Sequence, residues 1–96
     1  MVLDRKRINS WMRQATSGND GTQSGVVSGE EAFGELVAEV QDELFRLCLA
    51  NGLSRDEAIE ATQETFLRAY RGRASWHAGS DAMSWLCGIA TNVTRE

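Results

Sequence analysis

Proline is absent from this sequence of 96 residues, histidine occurs once and cysteine only twice. Two cysteines cannot complete a four-ligand zinc site, and His77 has no cysteine at ligand spacing, so a structural metal is not expected. Cys48 and Cys87 each lie inside an apolar helical pattern. We therefore predict two buried free thiols in a reducing compartment rather than a disulfide.

Long apolar runs are also missing, since no stretch reaches the ~18 residues that a membrane span requires. The basic N-terminal stretch MVLDRKRINSWMRQ is not followed by an apolar segment, so a secretory signal is not predicted and the expected location is the cytoplasm. The formal net charge of −4 argues against a generally basic, sequence-blind nucleic-acid coat. A local basic face remains compatible with that charge.

Catalytic motifs are lacking as well. The sequence contains no Gly-rich phosphate loop and no G-x-S-x-G motif. Its acidic residues fall mostly at helix starts or on exposed faces, where capping and solvation account for them. We predict neither catalysis nor a bound cofactor.

Helical periodicity is what the sequence does contain, and no strand pattern accompanies it. Apolar residues recur at helical spacing in three segments, which predict helices over about 30–51, 55–72 and 81–95. The buried stripe of the second helix is predicted to comprise Ile59, Thr62, Phe66, Leu67 and Tyr70. The predicted fold class is all-α, a compact bundle of three main helices.

Capping signals mark the ends of these predicted helices. Ser28 and Ser54 each open a capping box, in which a serine and a glutamate three residues later satisfy each other's backbone N–H groups. Gly52 suits the left-handed conformation that ends the first helix. Ser80 or Asp81 can cap the third helix.

Residues 1–28 stand apart from the predicted domain at 29–96. The stretch SGNDGTQSGVVSG is rich in glycine and serine, which is typical of a linker. The preceding DRKRINSWMRQA could form a short amphipathic helix with Trp11 and Met12 as its apolar contacts, but such a helix is too short to be stable alone. It either docks on the body of the domain or on a partner, or it is disordered. We predict a flexible N-terminal segment with partial order.

The second predicted helix carries more polar side chains than a core requires. These are Glu57, Glu60, Gln63, Glu64, Arg68 and Arg71. An acidic start and a basic end match the helix dipole, so the pattern by itself favours a solvated face. A surface that docks on a partner is the alternative.

Trp76 lies in the loop before the third predicted helix. A tryptophan exposed in a loop is uncommon in a small domain, because it leaves a large apolar surface in water. It could fold back onto the core, or it could offer a flat face on which an unstacked base sits. Arg71 and Arg73 nearby could hold the phosphates of the same strand. The amide of Asn92 could donate and accept hydrogen bonds along the edge of a base, or it could be solvated.

These residues carry a resemblance to a known family. RDEAIEATQETFLRAYR, followed by Trp76, Gly79 and SWLCGIATNVTRE, is similar to the region 2 domain of bacterial RNA polymerase sigma factors. The closest type is the extracytoplasmic-function, sigma-70-like class, and the resemblance covers residues 30–96. It implies a domain that docks on core RNA polymerase and recognises and melts the promoter −10 element.

The resemblance also implies roles for individual residues. Docking on the clamp helices of the polymerase β′ subunit is implied for Asp56, Glu60, Gln63, Glu64 and Arg68. Contact with the non-template strand of promoter DNA is predicted for Arg71, Arg73, Trp76, His77, Gly79, Ser80, Trp85, Thr91, Asn92 and Arg95. An anti-sigma factor is a further candidate partner, and no metal site is implied.

The sequence departs from the family pattern in the third helix. Cys87 stands where the family often has a bulky aromatic residue, and Gly88 and Thr91 stand where it often has basic residues. A large apolar residue is also usual near Ala82. A complete factor of this type is also expected to have a second, region 4-like domain, which these residues do not contain. Net acidity and the weak basic face leave an alternative: a protein-interaction module without DNA binding, such as an anti-sigma decoy or a helical oligomer.

Overall fold

Four α-helices make up the part of the chain that the computed structural model describes, which is residues 3–16, 29–77 and 79–96. In chain order they are α1 (Arg5–Thr16), α2 (Gly29–Ala50), α3 (Arg55–Arg71) and α4 (Ala82–Arg95), with a 3-10 turn at Arg73–Ser75. The predicted all-α class is confirmed, whereas the predicted count of three helices is wrong by one. None of the helices in these ranges has the length and apolarity to cross a membrane.

Local capping chemistry sets the helix ends close to their predicted positions. The hydroxyl of Ser54 accepts the backbone N–H of Glu57 at 3.2 Å, and the Glu57 carboxylate accepts the N–H of Ser54 at 2.8 Å, which completes the capping box of α3. Gly52 has a φ of 94°, the left-handed conformation that glycine adopts without strain. Asp81 is the residue that caps α4. The predicted cap at Ser28 lies outside the described residues.

The fourth helix is α1, which packs on the body of the domain. Ile8 and Met12 are fully buried and Ala15 is 4% exposed. The Nε of Arg7 lies 3.2 Å from a carboxylate oxygen of Glu39, which links α1 to α2. Of the alternatives for this segment, Arg5–Thr16 therefore has the one in which the helix docks on the body of the domain. Its apolar residues cover surfaces of α2 and α4 that are distant in sequence, so periodicity within α1 could not predict the docking.

The buried face of α3 consists of small side chains. It comprises Ala58, Ala61, Thr62, Thr65 and Ala69. The predicted buried stripe was partly wrong, because Ile59 is 43% exposed and Leu67 is 49% exposed. Small residues on the buried face allow α3 to lie close to the neighbouring helices. The larger side chains of Ile59 and Leu67 therefore lie on the opposite, exposed side of α3.

The remaining core comes from α2 and α4, as their apolar spacing predicted. Leu36, Val40 and Leu44 of α2 and Leu86 and Ala90 of α4 are fully buried. Full burial of a leucine or valine side chain stabilises the fold by roughly 1.5–3 kcal/mol relative to exposure. These residues fix the depth at which α4 sits on the domain.

Both cysteines are free thiols. Cys48 is fully buried as predicted, whereas Cys87 is only half-buried. Burial nevertheless raises the pKa of the Cys87 thiol above its ordinary value. Because the thiolate is the reactive form, the raised pKa makes the Cys87 thiol less reactive.

Candidate functional site

Five exposed side chains of α3 form one face, opposite the small residues that this helix buries. They recur at helical spacing and comprise Asp56, Ile59, Glu60, Gln63 and Leu67, here called the α3 face. The three polar members were among the predicted site residues. Ile59 and Leu67 were missed because they were assigned to the core. The run of alanine and threonine at the opposite positions was the signal that could have revealed them.

A mostly apolar groove runs beside the α3 face, between α2 and α3. It has a volume of about 660 Å³ and is lined by Glu30, Phe33, Gly34, Val37, Gln41, Thr62, Gln63, Phe66, Leu67 and Tyr70. The rings of Phe33 and Tyr70 meet edge to face in its wall, with centroids 5.1 Å apart and planes at 69°. We call this feature the α2–α3 groove. An apolar helix face is the kind of element that such a groove accommodates.

Arg68 points away from the α3 face. Its Nε donates to the carboxylate of Glu64 at 2.9 Å, and its two terminal nitrogens each donate to the carboxylate of Glu96 at 2.6 Å. These bonds, chiefly those to Glu96, raise the pKa of Arg68 above its ordinary value. Arg68 and Glu64 thus belong to a cluster that joins α3 to the end of α4. Although both were predicted polymerase-binding residues, neither belongs to the α3 face.

The two arginines after Arg68 differ in exposure. Arg71 is exposed at the end of α3. Arg73 lies over the ring of Tyr70, with its guanidinium carbon 3.9 Å from the ring centroid, and one of its nitrogens donates to the Tyr70 carbonyl at 2.6 Å. The flat face of Arg73 is therefore occupied by Tyr70, and Arg71 is the more available cation.

Trp76 is 5% exposed and belongs to the main core cluster. Trp76 therefore folds back onto the core, which was one of the two predicted alternatives, and does not present an exposed face. Its indole N–H is buried without a hydrogen-bond partner among the described residues. The stacking face that sequence reasoning considered is consequently not at the surface.

The rest of the predicted loop site is at the surface. His77, Gly79 and Ser80 are exposed, and the backbone N–H of Ser80 donates to the carbonyl of His77 at 2.8 Å. This bond closes a tight turn that leads into Asp81 and α4. Trp76, which is buried in the core, comes directly before this segment.

A shallow depression on α4 brings three other predicted residues together. It has a volume of about 570 Å³ and is lined by Ser84, Trp85, Gly88, Ile89, Thr91 and Asn92, here called the α4 depression. Asn92 is exposed and Trp85 is half-buried. The Thr91 hydroxyl donates to the Cys87 carbonyl at 2.9 Å, so it is already used within the helix. Arg95, also predicted, is exposed in the last turn of α4.

Gly88 leaves the middle of the α4 depression open. A Cβ placed on Gly88 would meet nothing within 4 Å. In the described ranges no group of three or more His, Cys, Asp or Glu side chains could hold a metal ion. The two surfaces thus differ in composition: α3 carries a mixed apolar and acidic face, and α4 carries a depression with an indole and an amide.

Comparison with known proteins relates these surfaces to a family. Residues 36–96, more than half of the chain, match the model of the Sigma-70 region 2 family. The ECF RNA polymerase sigma factor SigW of Bacillus subtilis is 34% identical over 65 residues, which are 68% of this chain and 35% of that protein. The ECF RNA polymerase sigma-E factor of Haemophilus influenzae is 33% identical over 67 residues, which are 70% of this chain and 35% of that protein.

The chain spans about a third of the length of these curated relatives. No solved structure gives a significant match. The matched region includes all of α3 and α4, and hence both the α3 face and the α4 depression. The family predicted from the residues is confirmed: this chain belongs to the Sigma-70 region 2 family, in the ECF sigma-factor type.

Proposed function

We propose that this domain docks on core RNA polymerase and recognises and melts the promoter −10 element in transcription initiation. The observation that carries the proposal is the exposure of Ile59 and Leu67, at 43% and 49%, among the acidic and amide side chains of α3. An apolar centre with a polar rim is the composition of a protein–protein interface.

The proposed partner of the α3 face is the pair of clamp helices of the polymerase β′ subunit. Gln63 and Leu67 belong both to the α3 face and to the α2–α3 groove. A partner helix laid along α3 would therefore meet the exposed apolar pair and the groove at the same time. Asp56 and Glu60 would lie at the polar rim, where charge sets specificity and association rate.

The α4 depression is the proposed site for the non-template strand. The indole of Trp85 can stack on an unpaired base, a contact worth ~1–3 kcal/mol, and the exposed amide of Asn92 can both donate to and accept from a base edge. Arg71 and Arg95, both exposed, would contact phosphates. His77, Gly79 and Ser80 would guide the strand past the turn. In this proposal Trp76 supports that turn from the core.

The net charge of −4 is compatible with polymerase docking through the α3 face and strand binding at the α4 depression. An acidic domain binds DNA weakly by itself, since neutralising phosphates supplies most non-specific affinity. Docking on polymerase would place the α4 depression beside the promoter and raise its effective concentration. Capture of an unstacked base would then offset the cost of melting, which is a few kcal/mol per step.

Binding to isolated β′ clamp helices tests the docking half of the proposal. Leu67→Ala is expected to weaken binding about tenfold, because loss of a central apolar contact typically costs more than 1 kcal/mol. Leu49→Ala is the matched control, since Leu49 is 38% exposed but lies on α2 outside the α3 face and the groove. Equal affinities of the two variants would contradict docking through the α3 face.

Two exposed amides separate polymerase docking from DNA capture. Asn92→Ala should weaken binding of a fluorescent single-stranded −10-like oligonucleotide at saturating core polymerase, and should leave clamp-helix affinity unchanged. Gln63→Ala should do the reverse. If both substitutions reduced both affinities equally, the two surfaces would not have separate functions.

A second candidate function is a protein-interaction module without DNA binding, such as an anti-sigma decoy. It is favoured by the net acidity and by the internal bonding of Arg68 and Arg73, which reduces the free positive charge. An anti-sigma factor could use the same α2–α3 groove. Clamp-helix binding without any oligonucleotide binding, even with polymerase present, would support this second function.

A further inference from the structure

The N-terminal helix α1 reaches the first residues of α4. The side-chain oxygen of Asn9 accepts the backbone N–H of Ala82 at 2.7 Å, across 73 positions of sequence. Arg5 of the same helix forms an ion pair with the carboxylate of Asp81, the residue before Ala82. Ala82 is the first residue of α4 and Asp81 is its cap, so both contacts from α1 act on the start of this helix.

The Asp81 carboxylate serves the same helix start from within. It accepts the backbone N–H of Ser84 at 3.0 Å and the Ser84 hydroxyl at 2.9 Å. The first N–H groups of a helix have no partner inside the helix. Asp81 satisfies one of them and Asn9 satisfies another. The start of α4 is thus built jointly by its own cap and by a residue of α1.

These contacts differ in kind from the apolar packing beneath α4. Burial of Leu86 and Ala90 fixes the depth of α4 but has little directional preference. Hydrogen bonds weaken steeply away from linear geometry, so they fix rotation about the helix axis and the residue at which the helix begins. Arg68 and Glu96 hold the other end of α4 in the same directional way.

The α1 helix is also held by contacts with α2. Ile8 and Met12 are fully buried, and Arg7 pairs with Glu39 of α2. Asn9 is therefore presented to Ala82 from an element anchored elsewhere. Rotation of α4 would move Trp85 and Asn92 together, because both line the α4 depression.

We infer that Asn9 and Arg5 are positioning residues for the nucleic-acid-binding surface: they fix the start and the rotation of α4 so that Trp85 and Asn92 face the strand. This inference rests on the proposed function of the α4 depression. It extends that function to α1, which would control DNA capture without contacting DNA. It also assigns α1 a role that is separate from polymerase docking, since the α3 face lies on another helix.

The test uses the whole chain with three substitutions in α1. Asn9→Ala removes the acceptor of the Ala82 N–H. Thr16→Ala is the matched control, because the Thr16 hydroxyl donates only to the Arg13 carbonyl within α1, at 3.2 Å. Arg5→Gln is added as a variant that should leave the domain folded, since the Arg5 side chain is 59% exposed.

Three quantities are measured for each variant: amide exchange at Ala82, oligonucleotide affinity at saturating core polymerase, and affinity for the isolated clamp helices. For Asn9→Ala we expect exchange about tenfold faster and oligonucleotide affinity about fivefold weaker, with clamp-helix affinity unchanged. Arg5→Gln should give the same pattern at about a third of the size.

Several outcomes would overturn the inference. Equal loss of both affinities in Asn9→Ala would indicate general destabilisation, and unchanged oligonucleotide affinity in Asn9→Ala and Arg5→Gln would show that α1 does not position α4. If the wild type and Thr16→Ala both bound the clamp helices but no oligonucleotide, the DNA half of the proposed function would fail first, and this inference with it.

Discussion

The guanidinium of Arg68 and the carboxylate of Glu96 face each other in a two-bond pair, with both nitrogen–oxygen distances at 2.6 Å. The pair joins the last turn of α3 to the cap of α4. It connects the helix that carries the proposed docking face to the helix that carries the proposed DNA-binding depression. A movement of α3 that displaces Arg68 can therefore also displace the C-terminal end of α4.

The ionisation of Glu96 should depend on this pair. Hydrogen bonds from Arg68 lower the pKa of Glu96 below its ordinary value. A lowered folded-state pKa means that the pair stabilises the fold above the unfolded-state pKa, near 4.5, and that this contribution is lost as pH falls through the folded-state value. Arg68→Gln should return the pKa of Glu96 to its ordinary range in an NMR titration.

Arg46→Gln is the control for that titration. Arg46 pairs with Glu43 inside α2 at 2.9 Å and makes no bond to Glu96. It should therefore leave the Glu96 titration unchanged. A Glu96 pKa that did not rise in Arg68→Gln would contradict the two-bond pair.

The capping box of α3 should be worth about 1 kcal/mol, the usual cost of replacing a serine N-cap with alanine. Ser54→Ala removes the acceptor of the Glu57 N–H. Glu57 has a lowered pKa, chiefly because it accepts the backbone N–H of Ser54. The box therefore stabilises the fold above the unfolded-state pKa of Glu57 and loses this contribution in more acidic solution.

Urea unfolding at neutral pH and at about pH 3 measures both effects. Ser54→Ala should be less stable than the wild type at neutral pH, and the difference should narrow in acid. Ser75→Ala is a suitable control, because the Ser75 hydroxyl donates to the Gly72 carbonyl in an exposed turn and caps no α-helix. A gap between Ser54→Ala and the wild type that stayed constant with pH would argue against a contribution from Glu57.

The features that the sequence predicted well depend on neighbours a few residues away. The Ser54 box, the left-handed Gly52 and the Asp81 cap are all local, and each formed as expected. The contacts that it could not predict join distant positions: Asn9 meets Ala82 across 73 positions, and Arg68 meets Glu96 across 28. Residue type alone does not indicate which distant partner a polar side chain will find.

The α3 face was only half predicted for a different reason. Hydrophobic periodicity weights large apolar residues, so it assigned Ile59 and Leu67 to the core. The core instead uses Ala58, Thr65 and Ala69, each fully buried. The hydroxyl of Thr65 is compatible with burial because it donates to the Ala61 carbonyl at 2.7 Å. Close helix packing selected small side chains, and that choice depends on the neighbouring helices.

Trp76 should contribute to stability rather than to direct base stacking. Trp76→Ala is expected to cost about 3–5 kcal/mol, as for other large-to-small core changes. Trp76→Phe retains most of the ring and removes the buried, unpaired indole N–H, so its cost should be below about 1.5 kcal/mol. Folded Trp76→Phe should bind the −10-like oligonucleotide as the wild type does, in contrast to Trp85→Phe. A tenfold loss in Trp76→Phe would show that Trp76 leaves the core to meet a base.

Gly88 and Gly34 provide a matched pair of stabilising substitutions. Both lie within helices, and a Cβ on either would meet nothing within 4 Å. Replacement by alanine should stabilise the fold by about 1 kcal/mol at each position, which raises the melting temperature by about 4–8 °C. Gly88→Ala should also weaken oligonucleotide binding, because its methyl group narrows the α4 depression, whereas Gly34→Ala should not. Equal oligonucleotide affinities would argue against close approach of DNA at Gly88.

Replacing the two exposed apolar residues of α3 distinguishes the docking face from a core stripe. Because Ile59 and Leu67 are about half exposed, Ile59→Gln and Leu67→Gln should each change the free energy of unfolding by no more than about 0.5 kcal/mol. Leu86→Ala, at a fully buried position, should cost about 2–5 kcal/mol. Both glutamine variants should nevertheless lose affinity for the clamp helices, since each removes an apolar contact at the centre of the proposed interface. A stability loss in Leu67→Gln as large as that in Leu86→Ala would return Leu67 to the core and remove the main support for docking through α3.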